Sequence, residues 1–131
     1  MNALDTNVLV RFLVQDDGNQ CARVNRLLHD AERDKKSLFV PLLVVLELIW
    51  VLQSVYEVER RELLEAIASL LQLPVLEFEK KTVIREFIRS ANQSSSGLAD
   101  LLIGESSKAS GCEAVLTFDK DASKTPLFRA L

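Results

Sequence analysis

Four acids stand where a carboxylate can do chemistry: Asp5, Glu47, Asp100 and Asp119. Asp5 closes the short apolar run Ala3-Leu4 and opens a helical pattern in which Val8, Leu9, Phe12 and Leu13 recur at the spacing of one helix face. In an open α/β sheet, ligands bind in the crevice beyond the carboxyl ends of the strands, so an acid ending the first strand points there. A plain helix cap fits the same spacing, since Asp5, Thr6 and Asn7 are all cap formers. Glu47 is the one charge in the run LLVVLELIWVL, residues 42–52. On a helix its neighbours at i−4, i−3, i+3 and i+4 are Leu43, Val44, Trp50 and Val51, all apolar. Such an acid is either exposed through an apolar patch or buried beside a partner that offsets its desolvation. Asp100 falls in the first turn of a helix that follows the loop Gln93-Ser94-Ser95-Ser96-Gly97, where it could simply offset the helix dipole. Asp119, with Asp121 close behind, follows a strand pattern where turn aspartates are common. Singly each is ambiguous; together, with no His or Cys in reach of the pattern, they describe a site for a hard cation, Mg²⁺ or Mn²⁺ rather than Zn²⁺.

The elements that must position these acids follow from periodicity. Helices are expected over 19–34, 42–52, 59–72 and 80–92, and from Gly97 to a stop at Gly111. Strands are expected at Ala3-Leu4, 37–40, 75–78 and 113–118. Strands alternating with helices imply a parallel sheet covered on both faces. Right-handed crossovers place strand ends of one polarity on one rim, so Asp5 and Asp119 can meet there with the helix-borne Glu47 and Asp100. Lys81, Arg85 and Arg89 form one basic stripe, read as a solvated face paired with Glu79 and Glu86, or more sharply as a phosphate-tracking edge. His29, the only histidine, lies on the polar flank of its helix and reads as a surface residue.

Composition sets the bounds. A chain of 131 residues, 48% hydrophobic with 4 Gly and 3 Pro, is expected to form one domain with a real core. Cys21 and Cys112 are far apart and form no CxxC pair, so neither a zinc cluster nor a disulfide framework is suggested and a reducing compartment fits best. No basic leader and no run long enough to span a bilayer are present, so a soluble cytoplasmic protein with no membrane partner is expected. The net charge of −3 does not argue against a nucleic-acid partner if several of the 19 acids are gathered around a cation.

Taken in order, LDTNVLVR with Asp5, LLVVLELIWVL with Glu47, GLADLLIG with Asp100 and VLTFDKDASK with Asp119 resemble a PIN domain, and more narrowly the VapC-type ribonuclease toxins of toxin–antitoxin pairs. The resemblance covers nearly the whole chain. It implies a three-layer α/β/α sandwich with a central parallel sheet of four to five strands, the fifth in question because TPLFRAL is short and weakly strand-like. It also implies a metal-dependent endoribonuclease. In that reading Asp5, Asp100 and Asp119 hold Mg²⁺ or Mn²⁺, Glu47 positions or deprotonates a water, and Asn7, Thr117 and Asp121 support them. The implied substrate is a structured RNA cut at a loop, whose unstacked bases and bent backbone can enter a narrow cleft. The implied partners are a cognate antitoxin and a second copy of the chain. The apolar helices around Trp50 and over 59–72 also favour a homodimer, since they carry more apolar surface than a small packing needs. Two rivals remain. A haloacid-dehalogenase-type phosphatase requires a second aspartate where Asn7 stands and a lysine motif that is not evident; a catalytically silent PIN-like module that binds RNA or protein would have no reason to retain all four acids.

Overall fold

The helical periodicities become helices and the short β-prone runs become strands in the computed structural model, which describes residues 1–131. Two units are distinguished, Met1–Glu79 and Lys80–Leu131.

The first unit runs β1 (Asn2–Ala3), α1 (Thr6–Leu13), α2 (Gly18–Arg33), β2 (Leu38–Val40), α3 (Leu42–Ser54), α4 (Arg60–Leu71) and β3 (Leu76–Phe78). The strands lie side by side in the order β1-β2-β3, every pair parallel, with Ala3 beside Phe39 and Phe39 beside Glu77. The central strand buries Leu38 and Val40, whereas both residues of the edge strand β1 are exposed. Ala3 is therefore not the buried residue expected; Leu4 alone turns inward, its N–H donating to Phe39 O at 2.8 Å. The face of α1 is also rotated from expectation. Thr6, Leu9 and Val10 form the buried stripe at i, i+3, i+4, and Val8, Phe12 and Leu13 are half-buried, because α1 packs against both α2 and α3.

In α3 the buried set is Val45, Leu48, Ile49 and Leu52, and in α4 it is Leu63, Leu64, Ile67, Leu70 and Leu71. Each side chain removed from water contributes about 1.5–3 kcal/mol. The surplus apolar surface expected of both helices is thus confined to α3, whose outer stripe leaves Leu43 77% and Trp50 62% exposed. Pro41 offers no side-chain cap to α3, and the Glu79 carboxylate at the end of β3 supplies one by accepting from Leu42 N at 2.7 Å. Glu79 therefore caps a helix rather than pairing with the basic stripe.

The second unit runs α5 (Lys81–Asn92), α6 (Leu98–Ala109), β4 (Val115–Thr117), a 3-10 turn (Ala122–Lys124) and β5 (Phe128–Ala130). Its two strands are parallel, with Val115 beside Phe128 and Thr117 beside Ala130. The fifth strand is present, and α6 shows why. A Cβ on Gly104 would come within 2.8 Å of Leu127 Cδ1, 2.9 Å of Leu127 Cβ and 3.1 Å of Phe128 Cε1, so the glycine lets the entry to β5 lie directly on the helix. We expect Gly104→Ala to destabilise the protein by about 1–3 kcal/mol through overpacking, read as a thermal midpoint a few degrees lower. An unchanged midpoint would show that β5 yields without cost.

Helices α5 and α6 pack against each other, and Val83, Ile84 and Phe87 of the first and Leu98, Leu101 and Leu102 of the second are buried. Gly111, at φ 93°, ends the helix as expected. Along the basic stripe Arg89 pairs with Glu86 and Arg85 is exposed. His29 is exposed, and no helix is long and apolar enough to cross a membrane.

Candidate active site

The turn from β1 into α1 places three polar residues in succession. Asp5 is exposed and takes the N-cap position, with Oδ1 accepting from Thr6 N at 2.7 Å. Its geometry departs from an ordinary cap, whose side chain accepts from the second or third helical N–H. One turn of α1 faces α3, and Thr6 leads the stripe that does so. Thr6 is only 3% exposed, and its hydroxyl donates to Glu47 Oε1. Glu47 itself is exposed, on the outer stripe of α3 with Leu43 and Trp50 one turn to either side. The open alternative for this acid is thus resolved in favour of exposure through an apolar patch, with a buried hydroxyl fixing one of its oxygens. Asn7 is exposed and lines a cavity between α1 and α2.

In the second unit Asp100 occupies the third position of α6 and is half-buried. It accepts no hydrogen bond. Its carboxylate lies back over the helix start, where a Cβ on Gly97 would meet Asp100 Oδ2 at 3.3 Å. Gly97 supplies no side-chain cap, and the charge of Asp100 falls where the helix dipole favours an anion. Asp119 is exposed beyond β4, and its Oδ1 accepts from Asp121 N at 2.8 Å and Ala122 N at 3.2 Å, which starts the 3-10 turn. Thr117 Oγ1 accepts from Asp119 N at 2.9 Å and so fixes the backbone under that acid. Asp121 lies outside this cradle, its side chain 95% exposed and 3.6 Å from Lys124 Nζ.

Glu47 is thus brought to the Asp5 turn by Thr6, and Asp119 is braced by Thr117. Within neither unit do three His, Cys, Asp or Glu side chains gather as a ready metal cage. The donor chemistry nevertheless fits Mg²⁺ or Mn²⁺. Asp5, Glu47 and Asp119 are exposed carboxylates, Asp100 is half-buried, and each offers an oxygen not taken by a hydrogen bond.

Two residues of consequence escaped the sequence reading. Thr6 passed for a cap former, although the 6, 9, 10 spacing places it on the buried face. Glu105, 6% exposed on α6, accepts from Ser90 Oγ of α5 at 2.8 Å and ties the two helices together. Nothing local in the sequence marks that pairing. From the last turn of α1, Arg11 hydrogen-bonds Asp16 and, at 3.2 Å, Tyr56 Oη. The bond from Arg11 holds the Asp16 carboxyl below its ordinary range.

A family model described as the PIN domain matches residues 3–127. The chain is also similar to a VapC ribonuclease of Aquifex aeolicus (strain VF5), 27% identical over 124 residues that cover 95% of this chain and 91% of the relative.

Proposed function

This chain belongs to the PIN-domain family, and on that premise we propose that it is a metal-dependent endoribonuclease, the toxin of a toxin–antitoxin pair. The observation that carries the reading is the Glu47 carboxylate, exposed among apolar neighbours and oriented by a buried threonine beside Asp5. The similarity to a VapC ribonuclease along nearly the full chain supports it. In this proposal both units act as one PIN domain, and Asp5, Glu47, Asp100 and Asp119 serve one centre.

Asp5, Asp100 and Asp119 would hold Mg²⁺ or Mn²⁺. Such an ion, when bound, offsets charge on the phosphate and acidifies a water. The chain's own groups then divide the work. Thr6 occupies Glu47 Oε1, so Oε2 is the atom left to take the proton of the attacking water. Asp119, with Oδ1 held by Asp121 N and Ala122 N, would have its second oxygen free for a cation. Thr117 and Asn7 support these acids, and Asp121 stands by at the rim. The water oxygen bonds to phosphorus as the P–O3′ bond breaks, and the departing O3′ takes a proton from solvent, leaving a 3′-hydroxyl upstream and a 5′-phosphate downstream. The substrate proposed is a structured RNA presenting an unpaired loop.

Purified protein should therefore cleave RNA in Mg²⁺ or Mn²⁺, stop in excess chelator and leave 5′-phosphate ends. Activity undiminished in chelator, or a 2′,3′-cyclic phosphate on the upstream fragment, would overturn the mechanism. Cleavage of a phosphate monoester in place of RNA would favour the phosphatase, and RNA binding with no cleavage would favour the silent module.

Thr6 is a positioning residue in this scheme. Thr6→Val keeps the shape and removes the donor, and should lower kcat about 10- to 100-fold, the worth of one hydrogen bond to a charged group. Thr6→Ser should restore most of it. A Val variant that cleaves at the parent's rate would show that Glu47 needs no such support.

The proposed partners are an antitoxin that reaches the acidic site and a second copy that covers exposed apolar residues of α3, where Trp50 is 62% exposed. Expression without the neighbouring open reading frame should be toxic to the host, and light scattering should give the mass of a dimer.

A further inference from the structure

Between α1 and α2 lies a cavity of about 390 Å³, of whose lining the reaction above uses only Asn7. Asn7 lines it, and at most about 7 Å of extended chain separates that residue from Asp5. Val8, Val24 and Leu27 form its apolar wall. Asn7 and Gln20 add amides, each both donor and acceptor. Arg11 and Arg23 add positive charge, and no carboxylate lines the space.

The two arginines differ. Arg11 is held in the wall by Asp16 and Tyr56, and its Nε is the protein's one buried side-chain nitrogen or oxygen without a hydrogen-bond partner. Arg23 is exposed and enters no ion pair. Three further cavities lack this character. One beside α2 and β2 carries Asp30 and Asp34, and those along α5 and α6 include Glu105, acids that repel a phosphate.

We propose that the α1–α2 cavity is a subsite for one unpaired ribonucleotide of the substrate strand, next to the phosphate that is cut. The base lies on Val8, Val24 and Leu27, the Asn7 and Gln20 amides meet its edge, and Arg23 takes a flanking phosphate. The volume is at the small end of the roughly 300–1,000 Å³ usual for small-ligand pockets, room for one nucleoside but not for a duplex. An unpaired base exposes both its faces and its hydrogen-bonding edges, so the aliphatic wall and the amides beside it each meet a complementary part of it. The inference rests on the ribonuclease reading and names where its substrate is gripped.

The test uses the full chain and a short fluorescein-labelled single-stranded RNA of mixed sequence. Gln20 and Arg23 are exposed on α2, so a Gln20→Ala/Arg23→Ala double variant should fold as the parent does. In chelator, anisotropy should show its affinity reduced about tenfold or more and its salt dependence lowered by about one phosphate contact. In Mn²⁺ the same variant should raise KM by a similar factor and leave kcat unchanged. Leu27→Trp, which fills the cavity without altering charge, should also weaken RNA binding.

A double variant that binds and cleaves as the parent does would overturn the subsite and leave the nuclease reading intact. So would unchanged RNA affinity with loss of binding to a co-expressed protein partner, which makes the cavity a protein contact. A parent that binds this RNA and cuts none of it in Mg²⁺ or Mn²⁺ would overturn the nuclease reading, and the drop in affinity would then leave the cavity an RNA-binding site with no cut phosphate beside it.

Discussion

Asp5→Asn is expected to reduce RNA cleavage by at least about 10³-fold, beyond the 10- to 100-fold typical when a group merely orients a metal ligand, while the melting temperature in chelator stays within a few degrees of the parent. The two halves of that expectation come from the two things Asp5 does. As the first residue of the α1 turn it accepts from Thr6 N, and an asparagine oxygen in the same place does so equally well. Asp and Asn are comparable at N-cap positions, so the helix should not notice the change. As the proposed ligand, the residue would supply negative charge to a hard cation, and the neutral amide would not. A variant that melts like the parent and cleaves like it would leave Asp5 a cap and nothing more. A variant that unfolds would mean the carboxylate charge itself holds the α1 turn, which the exposure of Asp5 argues against.

In the proposed mechanism, local duties and chemical duties coexist in these acids. Asp119 starts a 3-10 turn with one oxygen, and Glu47 accepts from Thr6 with one oxygen. In each case the local bond fixes the carboxylate plane and leaves a second oxygen in a defined place. A freely rotating surface acid would lose side-chain entropy on binding a cation, whereas one already tethered has lost it on folding. The capping and turn roles that make each acid look ordinary in the sequence are, on this argument, what prepares it to act.

What the sequence could disclose follows from the range of the interactions involved. Helix positions were legible because their causes are local: apolar spacing in α4, Pro41 before α3, Gly111 after α6. Glu47 stood out because an isolated acid in an apolar run conflicts with its surroundings, and a conflict of that kind prompts a functional reading. The rotation of the α1 face was not legible, because it depends on α1 packing against two helices at once. Thr6 was hidden for the same reason, its hydroxyl meeting an acid in a different helix. β5 was undervalued because its strength lies in partners outside TPLFRAL: the ladder with β4 and the bare backbone of Gly104. Glu105 gave no signal since its partner Ser90 lies on another helix.

Asp100→Asn should abolish cleavage as well, but its larger information lies in how its stability responds to metal. In chelator the variant should melt within a few degrees of the parent. Asp100 accepts no hydrogen bond that the amide would lose, and the charge it gives up at the start of α6 is worth about 0.3–1 kcal/mol. Relief of repulsion among the acids proposed to share the centre acts in the opposite direction. In Mg²⁺ the two proteins should separate. At a concentration 100 times the parent's Kd, bound cation stabilises the parent by about 2.7 kcal/mol. If losing one carboxylate weakens binding about 100-fold, the variant gains only about 0.4 kcal/mol under the same conditions. Four thermal melts, each protein in chelator and in excess Mg²⁺, measure the difference. Equal gains would remove Asp100 from the metal site. A variant that melts far below the parent in chelator would make Asp100 a structural part of the α6 start, where its carboxylate lies against Gly97. A parent midpoint that climbs in Mg²⁺ while the variant's stays nearly still is the result that makes Asp100 a ligand, because neither capping nor the helix dipole depends on the cation.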